Sequence, residues 1–247
     1  MRILFISEYW PPFQQGGGEV STYSIAKALA EKGIEISVLT SYFPNSKKEE
    51  TLNNLKIYRR IKTGKDVSSF FSNITRSLIM PLSTKIQTKK LLKKENFDII
   101  HYFNTGSALG NTKGKTFVHI NSPVFFCPKG TLMYKDKTQC DYKCTPARFL
   151  KCFLKSKEFL KMKNKWYLKY NPGMQLFLYL HYKKRLKKLK QFKNYIAVSE
   201  FMKEKLKDNN IPENNIKVIS NIVNTKELQE TNNEIPKILY IGAYVEN

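Results

Sequence analysis

The chain opens with an apolar run, Ile3 to Ile6, followed by a Pro/Gly-rich loop and then a stretch from Glu19 to Lys32 with a helical period. In that stretch Val20, Tyr23, Ala26 and Leu29 recur at three-residue steps, which places them on one helix face. Gly33 stands where a left-handed residue ends a helix, and a second strand follows at Ile34 to Leu39. The two strands read as buried on both faces, the mark of a parallel sheet. A helix joining two parallel strands makes a right-handed crossover.

The same alternation continues. Strands are predicted at Leu55 to Ile61, Asp98 to Tyr102, Thr116 to His119 and Tyr195 to Val198, with helices at Ile74 to Lys94, Met174 to Phe192 and from a Ser199 cap through Lys207. Alternating strands and helices define an α/β fold, a Rossmann-like open parallel sheet with helices on both faces. Ligands of such sheets bind beyond the carboxyl ends of the strands. Residues at those ends are therefore the candidates for chemistry.

Between Asn121 and Pro172 the alternation fails, and residues 121–172 read as an insertion. Residues 1–224 then form the Rossmann-like domain, 225–235 a polar linker, and 236–247 a new buried strand, Lys237 to Ile241, with little behind it. That ending is expected of a longer architecture whose second domain has only begun.

With 41% hydrophobic and 13% aromatic residues, the chain can bury enough surface to offset its ordering entropy. It carries 43 Lys and Arg against 20 Asp and Glu, a net +23, which favours an anionic partner. The excess is concentrated: residues 143–193 hold 16 Lys and Arg and one acid, Glu158. The N-terminus lacks signal-peptide features, and no run reaches the ~18 apolar residues of a spanning helix. A cytoplasmic protein, peripheral on a membrane's inner face, is expected.

Three groups of residues carry candidate chemistry. Gly16, Gly17 and Gly18 lie between the first strand and its helix, where exposed backbone N–H groups and the helix dipole can hold a phosphate. The alternative is a flexible turn, and the spacing departs from the dinucleotide G-x-G-x-x-G. Cys127, Cys140, Cys144 and Cys152 are separated by 12, 3 and 7 residues within the insertion. Four thiolates suit a closed tetrahedral structural zinc site; unmetallated thiols, disulfides and an iron–sulfur cluster stay open as alternatives. Lys183, Lys184, Arg185, Lys187 and Lys188 surround Leu186 and Leu189 on one helix, and residues 149–170 interleave Lys with Phe, Leu, Trp166 and Tyr. Such a segment suits an anionic membrane surface, or is only a solvated face. Nucleic acid is disfavoured because no recognised binding module accompanies the charge.

Several segments, in order, resemble the N-terminal domain of the family 4 retaining glycosyltransferases. They are EYWPPFQQGGGEVSTYSIAKALAEKG, DIIHYFN, FVHI, IAVSEFMKEKL, IPENNIKVISNIVNT and KILYIGAYVEN. The resemblance implies the GT-B fold of two facing Rossmann-like domains, with a nucleotide-sugar donor and a glycan or lipid-linked acceptor. It implies no cofactor for catalysis. It assigns His119 to contact with the transferred sugar, and Gly16, Gly17 and Gly18 to the donor or acceptor. His101 reads as structural and His181 as core or snorkelling. The chain departs from the family at Asn221-Ile222-Val223-Asn224, where Asn-Gly-Val-Asp is common, and at Ile120, where an Asp often follows the His. It also lacks the donor-binding half, so the chain is expected to be inactive alone, with a non-catalytic acceptor- or membrane-binding module as the alternative reading.

Overall fold

The computed structural model describes residues 1–13, 16–64, 70–103, 115–141, 143–156 and 170–222. Its frame is an eight-stranded sheet built from β1 (Arg2–Ser7), β2 (Glu35–Ser41), β3 (Glu49–Leu52), β4 (Leu55–Ile61), β5 (Ile99–Phe103), β6 (Lys115–Ile120), β9 (Asn194–Ala197) and β10 (Ile216–Val218). The order is β10-β9-β6-β5-β1-β2-β4-β3, and every pairing is parallel except β3 with β4. The helices are α1 (Gly17–Glu31), α2 (Phe70–Lys94), α3 (Pro146–Lys155), α4 (Pro172–Leu189) and α5 (Glu200–Asp208).

Two apolar cores follow from the period-two alternation of the strands. On one face Ile3, Phe5, Ile36, Val38, Leu55 and Phe103 pack against α1 through Ala26 and Leu29. On the other, Leu4, Ile6, Leu39, Ile100, Val118 and Ile120 meet Met80 and Leu91 of α2, Leu186 and Leu189 of α4, and Leu206 of α5. Local signals end the helices as the sequence suggests. Gly33 takes a left-handed φ of 78° after α1, and the Ser199 hydroxyl accepts from the Met202 N–H at 3.3 Å to cap α5. The buried Tyr195 hydroxyl reaches the carbonyls of Leu189 and Phe192 at 2.8 and 2.9 Å, tying the end of α4 to β9.

The sequence reading differs from this structure at a few elements. The edge strand β3 was not expected, because Glu49-Glu50-Thr51-Leu52 has no apolar alternation; its register against β4 is held by charge instead. Arg59 of β4 is buried, and its Nη2 donates to Glu50 Oε1 and to the Pro11 carbonyl, both at 2.6 Å. The short strand β10 was also missed. The insertion adds no strand to the main sheet, as expected, but it is structured. It contains a short hairpin, β7 (Met133–Tyr134) with β8 (Thr138–Gln139), and α3, which has Pro146 in its first turn and a Thr145 cap. The linker at 225–235, the strand at 236–247 and the aromatic and basic residues 157–169 lie outside the described residues.

Ile6, fully buried in β1 with the sheet paired on both sides, tests the central core. Ile6→Ala should cost about 2–5 kcal/mol, read as a lower urea midpoint at unchanged slope. A change below about 0.5 kcal/mol, the size of an ordinary surface substitution, would contradict this packing.

Candidate active site at the carboxyl edge of the sheet

From β1 the chain adds strands in one direction through β2 to β4, then returns to add β5, β6, β9 and β10 on the other side. The reversal leaves a crevice between the carboxyl ends of β1 and β5, the position where open α/β sheets receive ligands.

Glu8, directly after β1, turns toward the ends of β2 and β4: its carbonyl accepts from the Ser41 N–H and the Thr40 hydroxyl, both at 3.2 Å. Its carboxylate is buried, accepts from Arg76 Nε of α2 at 2.6 Å and from Thr63 Oγ1 at 3.2 Å, and so is neutralised by a fixed cation. Arg76 also lies over the Tyr9 ring, 5.6 Å from its centroid. Burial, with Glu8 beside it, pushes the Tyr9 hydroxyl well above its ordinary range. This network ties the start of α2 to the segment that leaves β1. Sequence reasoning did not single out Glu8 or Arg76; an acid directly after the first apolar strand was the available signal.

The other wall carries two histidines. His101 of β5 and His119 of β6 project to the α1 side of the sheet, with ring centroids 5.6 Å apart. Phe103 packs against both, 3.9 Å from His101 and 4.9 Å from His119. Burial lowers the His119 pKa to about 4; it holds His101 well below its ordinary value, with His119 a smaller second cause. Both rings are therefore neutral near pH 7, able to donate and accept hydrogen bonds. His119 Nδ1 and His101 Nε2 are buried and have no hydrogen-bond partner among the described residues. Ile120, at the position following His119, turns to the opposite face and is fully buried in the other core.

The glycine cluster meets the same edge, because α1 starts where the loop from β1 returns. Gly16 is the extended residue preceding the helix, and Gly17 begins it. A Cβ on Gly17 would meet nothing within 4 Å, so packing does not demand glycine there, and the first turn faces open space. Asn221 reaches the same helix end, within 2.9 Å of the Ser21 hydroxyl. Asn221 thus meets the start of α1, and His119 and His101 meet around Phe103 on the same side of the sheet; the sequence reading gave His101 a structural role.

The other predicted residues lie elsewhere. Cys127, Cys140, Cys144 and Cys152 line one cleft in the insertion, and none is in a disulfide. Burial, with the three other thiols nearby, pushes Cys144 up to about 12. On α4, Lys183, Lys184 and Lys187 are exposed and Lys188 is half-buried. Arg185 departs from the expectation that it shares their outward face. It falls in phase with the inward Tyr182, Leu186 and Leu189; its Nε is buried, and burial lowers its pKa to about 10. His181 is half-buried, its pKa lowered to about 4 by burial and by Arg185, Lys184 and Lys188. One feature was missed entirely: α2 exposes Leu78, Ile79, Leu82 and Ile86 along one side, and α4 exposes Leu176 and Leu180. Among the described residues no helix is long and apolar enough to cross a membrane.

A doubly wound sheet with a switch point between β1 and β5 defines a Rossmann-like domain. Comparison with known proteins specifies it further: the family model described as Glycosyltransferase Family 4 matches residues 15–227, and the chain belongs to that family. No curated protein sequence matches it significantly. Among solved structures, sucrose-phosphate synthase from Thermosynechococcus elongatus aligns with a TM-score of 0.50 at 11% identity, over 89% of this chain and 47% of that one. HepE of Anabaena, solved with UDP and glucose, aligns at 0.41 and 14% identity, over 90% of this chain and 44% of that one. WaaG, a glycosyltransferase involved in lipopolysaccharide biosynthesis, aligns at 0.44 and 11%, over 88% and 44%. The first likeness shows the GT-B type of Rossmann fold, and the other two are too distant to carry an argument. The chain spans about half the length of these structures.

The histidine environment makes a direct prediction. The folded His119 pKa of about 4 lies below the 6.5 of an exposed histidine, so between these values the unfolded state binds more protons. Stability therefore rises with pH across that window and is lost as pH falls from 6.5 towards 4, by on the order of 3 kcal/mol for this group. The His119 ring resonances should titrate near pH 4, and His119→Phe, which keeps the stack on Phe103, should flatten the pH dependence. Titration near 6.5 would show that the ring is not buried as described.

Proposed function

We propose that this domain is the acceptor-side half of a glycosyltransferase that moves a sugar from a nucleotide-sugar donor to a glycan or lipid-linked acceptor. The observation that carries the proposal is the pair of neutral histidines on one sheet face beside the switch point, each with a buried ring nitrogen that has no hydrogen-bond partner among the described residues. A sugar presents hydroxyls that both donate and accept, and a neutral imidazole can satisfy either role. Binding would give these nitrogens partners that the described residues do not supply, which favours a polyhydroxylated ligand.

In this reading His119 bonds a hydroxyl of the transferred sugar and fixes the reacting carbon against the acceptor, a positioning role. Its low pKa suits a hydrogen-bonding group and argues against proton storage at neutral pH. The N-terminal turn of α1, with the positive end of the helix dipole, complements a donor phosphate or an acceptor anion. Glu8, held by Arg76, is an unsuitable general base because its charge is already committed. Since the chain spans about half of the enzymes it aligns with, the remaining donor contacts fall to a facing domain.

The acceptor is proposed to be membrane-borne because of the two helices on the opposite face of the sheet. Helix α2 follows β4 and α4 precedes β9, so both start near the carboxyl edge and run away from it. Each begins with exposed leucines or isoleucines and continues into lysines on the same side: Leu78, Leu82 and Ile86 into Lys85, Lys89 and Lys93 on α2; Leu176 and Leu180 into Lys183, Lys184 and Lys187 on α4. Lys85 lies close enough to Lys188 to lower its pKa, so the stripes are neighbours. Apolar side chains framed by lysine suit insertion into an anionic bilayer, each surface lysine contributing about 1 kcal/mol. The apolar ends lie toward the crevice, which would bring a lipid-linked acceptor to the histidines.

Two experiments test this. The chain alone, given a panel of nucleotide sugars, should show no turnover, whereas combined with a donor-binding half it should transfer sugar. In that active form His119→Ala should lower kcat by roughly 100-fold or more with little change in KM, as loss of a transition-state contact does. An unchanged kcat would return His119 to a packing role. For the membrane, the chain should sediment with anionic but not neutral vesicles. Lys183→Gln, Lys184→Gln and Lys187→Gln together, or Leu82→Asn with Leu180→Asn, should each abolish most of that binding. Vesicle binding that ignores the leucines, or that excess RNA displaces, would contradict the docking face.

A further inference from the structure

Residues 121–156 form a structured segment with very little core. The β7–β8 pair is two residues long on each side and its side chains are largely exposed, so its backbone pairing cannot hold it. What the segment does bury is a thin layer, Phe125, Phe126, Leu132, Phe149 and Phe153, laid against α4 through the contact of Phe149 with Tyr179 at 5.4 Å. Small units of this kind usually depend on a covalent or metal staple.

All four cysteines of the chain are in this segment, and the fold brings them to one cleft from four different local structures. Cys127 follows a 3-10 turn and starts a tight Cys-Pro-Lys-Gly turn, closed by the Gly130 N–H on the Cys127 carbonyl at 3.0 Å with Gly130 at φ 82°. Cys140 leaves the hairpin, its N–H on the Leu132 carbonyl. Cys144 immediately precedes the Thr145 cap of α3, and Cys152 sits one turn from the end of that helix. Cys127 and Cys144 also pack against the main core, so the cleft joins the insertion to the domain.

Two further contacts bear on the cleft, where Cys152 Sγ in its thiol form also donates to the Met133 carbonyl at 3.9 Å. The Lys135 backbone N–H donates to Cys152 Sγ at 3.3 Å, the type of contact that supports a metal-bound thiolate. Arg185 reaches in from α4 with a buried Nε that has no hydrogen-bond partner among the described residues, and it lies close enough to Cys127 for their charges to interact. A buried guanidinium is costly without an anion beside it. A cluster of thiolates would supply that anion, and Arg148, which also lines the cleft, adds a second cation.

We propose that Cys127, Cys140, Cys144 and Cys152 bind one zinc ion as a structural tetrathiolate that fastens residues 121–156 onto α4. Zn²⁺ displaces the four thiol protons to solvent, and no electron transfer is involved. Among the described residues no group of three or more Cys, His, Asp or Glu is already placed to hold a metal. Binding must therefore draw the sulfurs inward to about 2.3 Å from the ion, closing the cleft. The resulting net charge of −2 is offset by Arg185, Arg148 and a strongly basic surrounding segment.

The test uses the full chain purified without chelator. Elemental analysis should find about one zinc per chain, and zinc-edge X-ray absorption should show four sulfurs at about 2.3 Å. Demetallated protein titrated with Co²⁺ alone should develop the visible spectrum of tetrahedral cobalt-thiolate at one equivalent. Cys140→Ser should weaken zinc binding by more than the 10- to 100-fold typical of lost supporting contacts. Should that variant fail to fold, the wild-type cobalt titration still decides. Purified protein holding iron instead, disulfides among these cysteines, or four thiols that all react with a thiol reagent while added zinc leaves the melting temperature unchanged would each overturn the proposal.

Discussion

Strand β1 pairs in parallel with β2 on one side and β5 on the other: the chain leaves its carboxyl end into α1 and β2, and later returns through α2 to add β5 on the opposite side. Right-handed crossovers allow the sheet to grow outward from β1 in only one direction at a time. A gap must open where the direction reverses. Glu8, just past β1, is held by Arg76, so the start of α2 is fastened beside the carboxyl ends of β1 and β2. The site is in this sense a consequence of sheet topology, and its polar residues are those the strands end on.

Residues with unlike roles are sorted by the two faces of the sheet. On the α1 side, β5 and β6 present His101 and His119 around Phe103, a polar pair in an aromatic surround. On the other side the same strands present Ile100, Tyr102, Val118 and Ile120 to the helices that carry exposed apolar and basic stripes. In the proposed reading one face would address the sugar and the other the surface from which an acceptor comes. The insertion occupies a third position, against α4, where it would brace the helix that bears the lysines.

The sheet was legible in the sequence because its strands are apolar runs between helical periods; Leu55 to Ile61 was placed to the residue. Elements built from polar residues were not. Strand β3 depends on Arg59 reaching Glu50, a long-range pairing with no local pattern. Helix α3 did carry signals, Thr145 before Pro146 and Phe149 four residues before Phe153, but lysines interrupt them. At the site, His119 stood out as a strand-end residue, whereas the partnership with His101 required knowledge that β5 and β6 are adjacent. The basic helix shows the limit of charge counting. Arg185 belongs to the inward phase set by Tyr182, Leu186 and Leu189, and the exposed leucines of α2 become meaningful only when that helix is seen beside α4.

The central claim is that the two buried imidazoles await a polyhydroxylated ligand. It is tested most directly by the side-chain ¹⁵N spectrum of the histidines, recorded while glycan or lipid-linked acceptors and nucleotide sugars are added to the protein. Binding at the switch point should shift the His119 and His101 ring nitrogens together while leaving His181, on α4, unchanged. Saturable binding that moves His181 or the α4 amides but neither of the two strand histidines would place the ligand elsewhere and contradict the account.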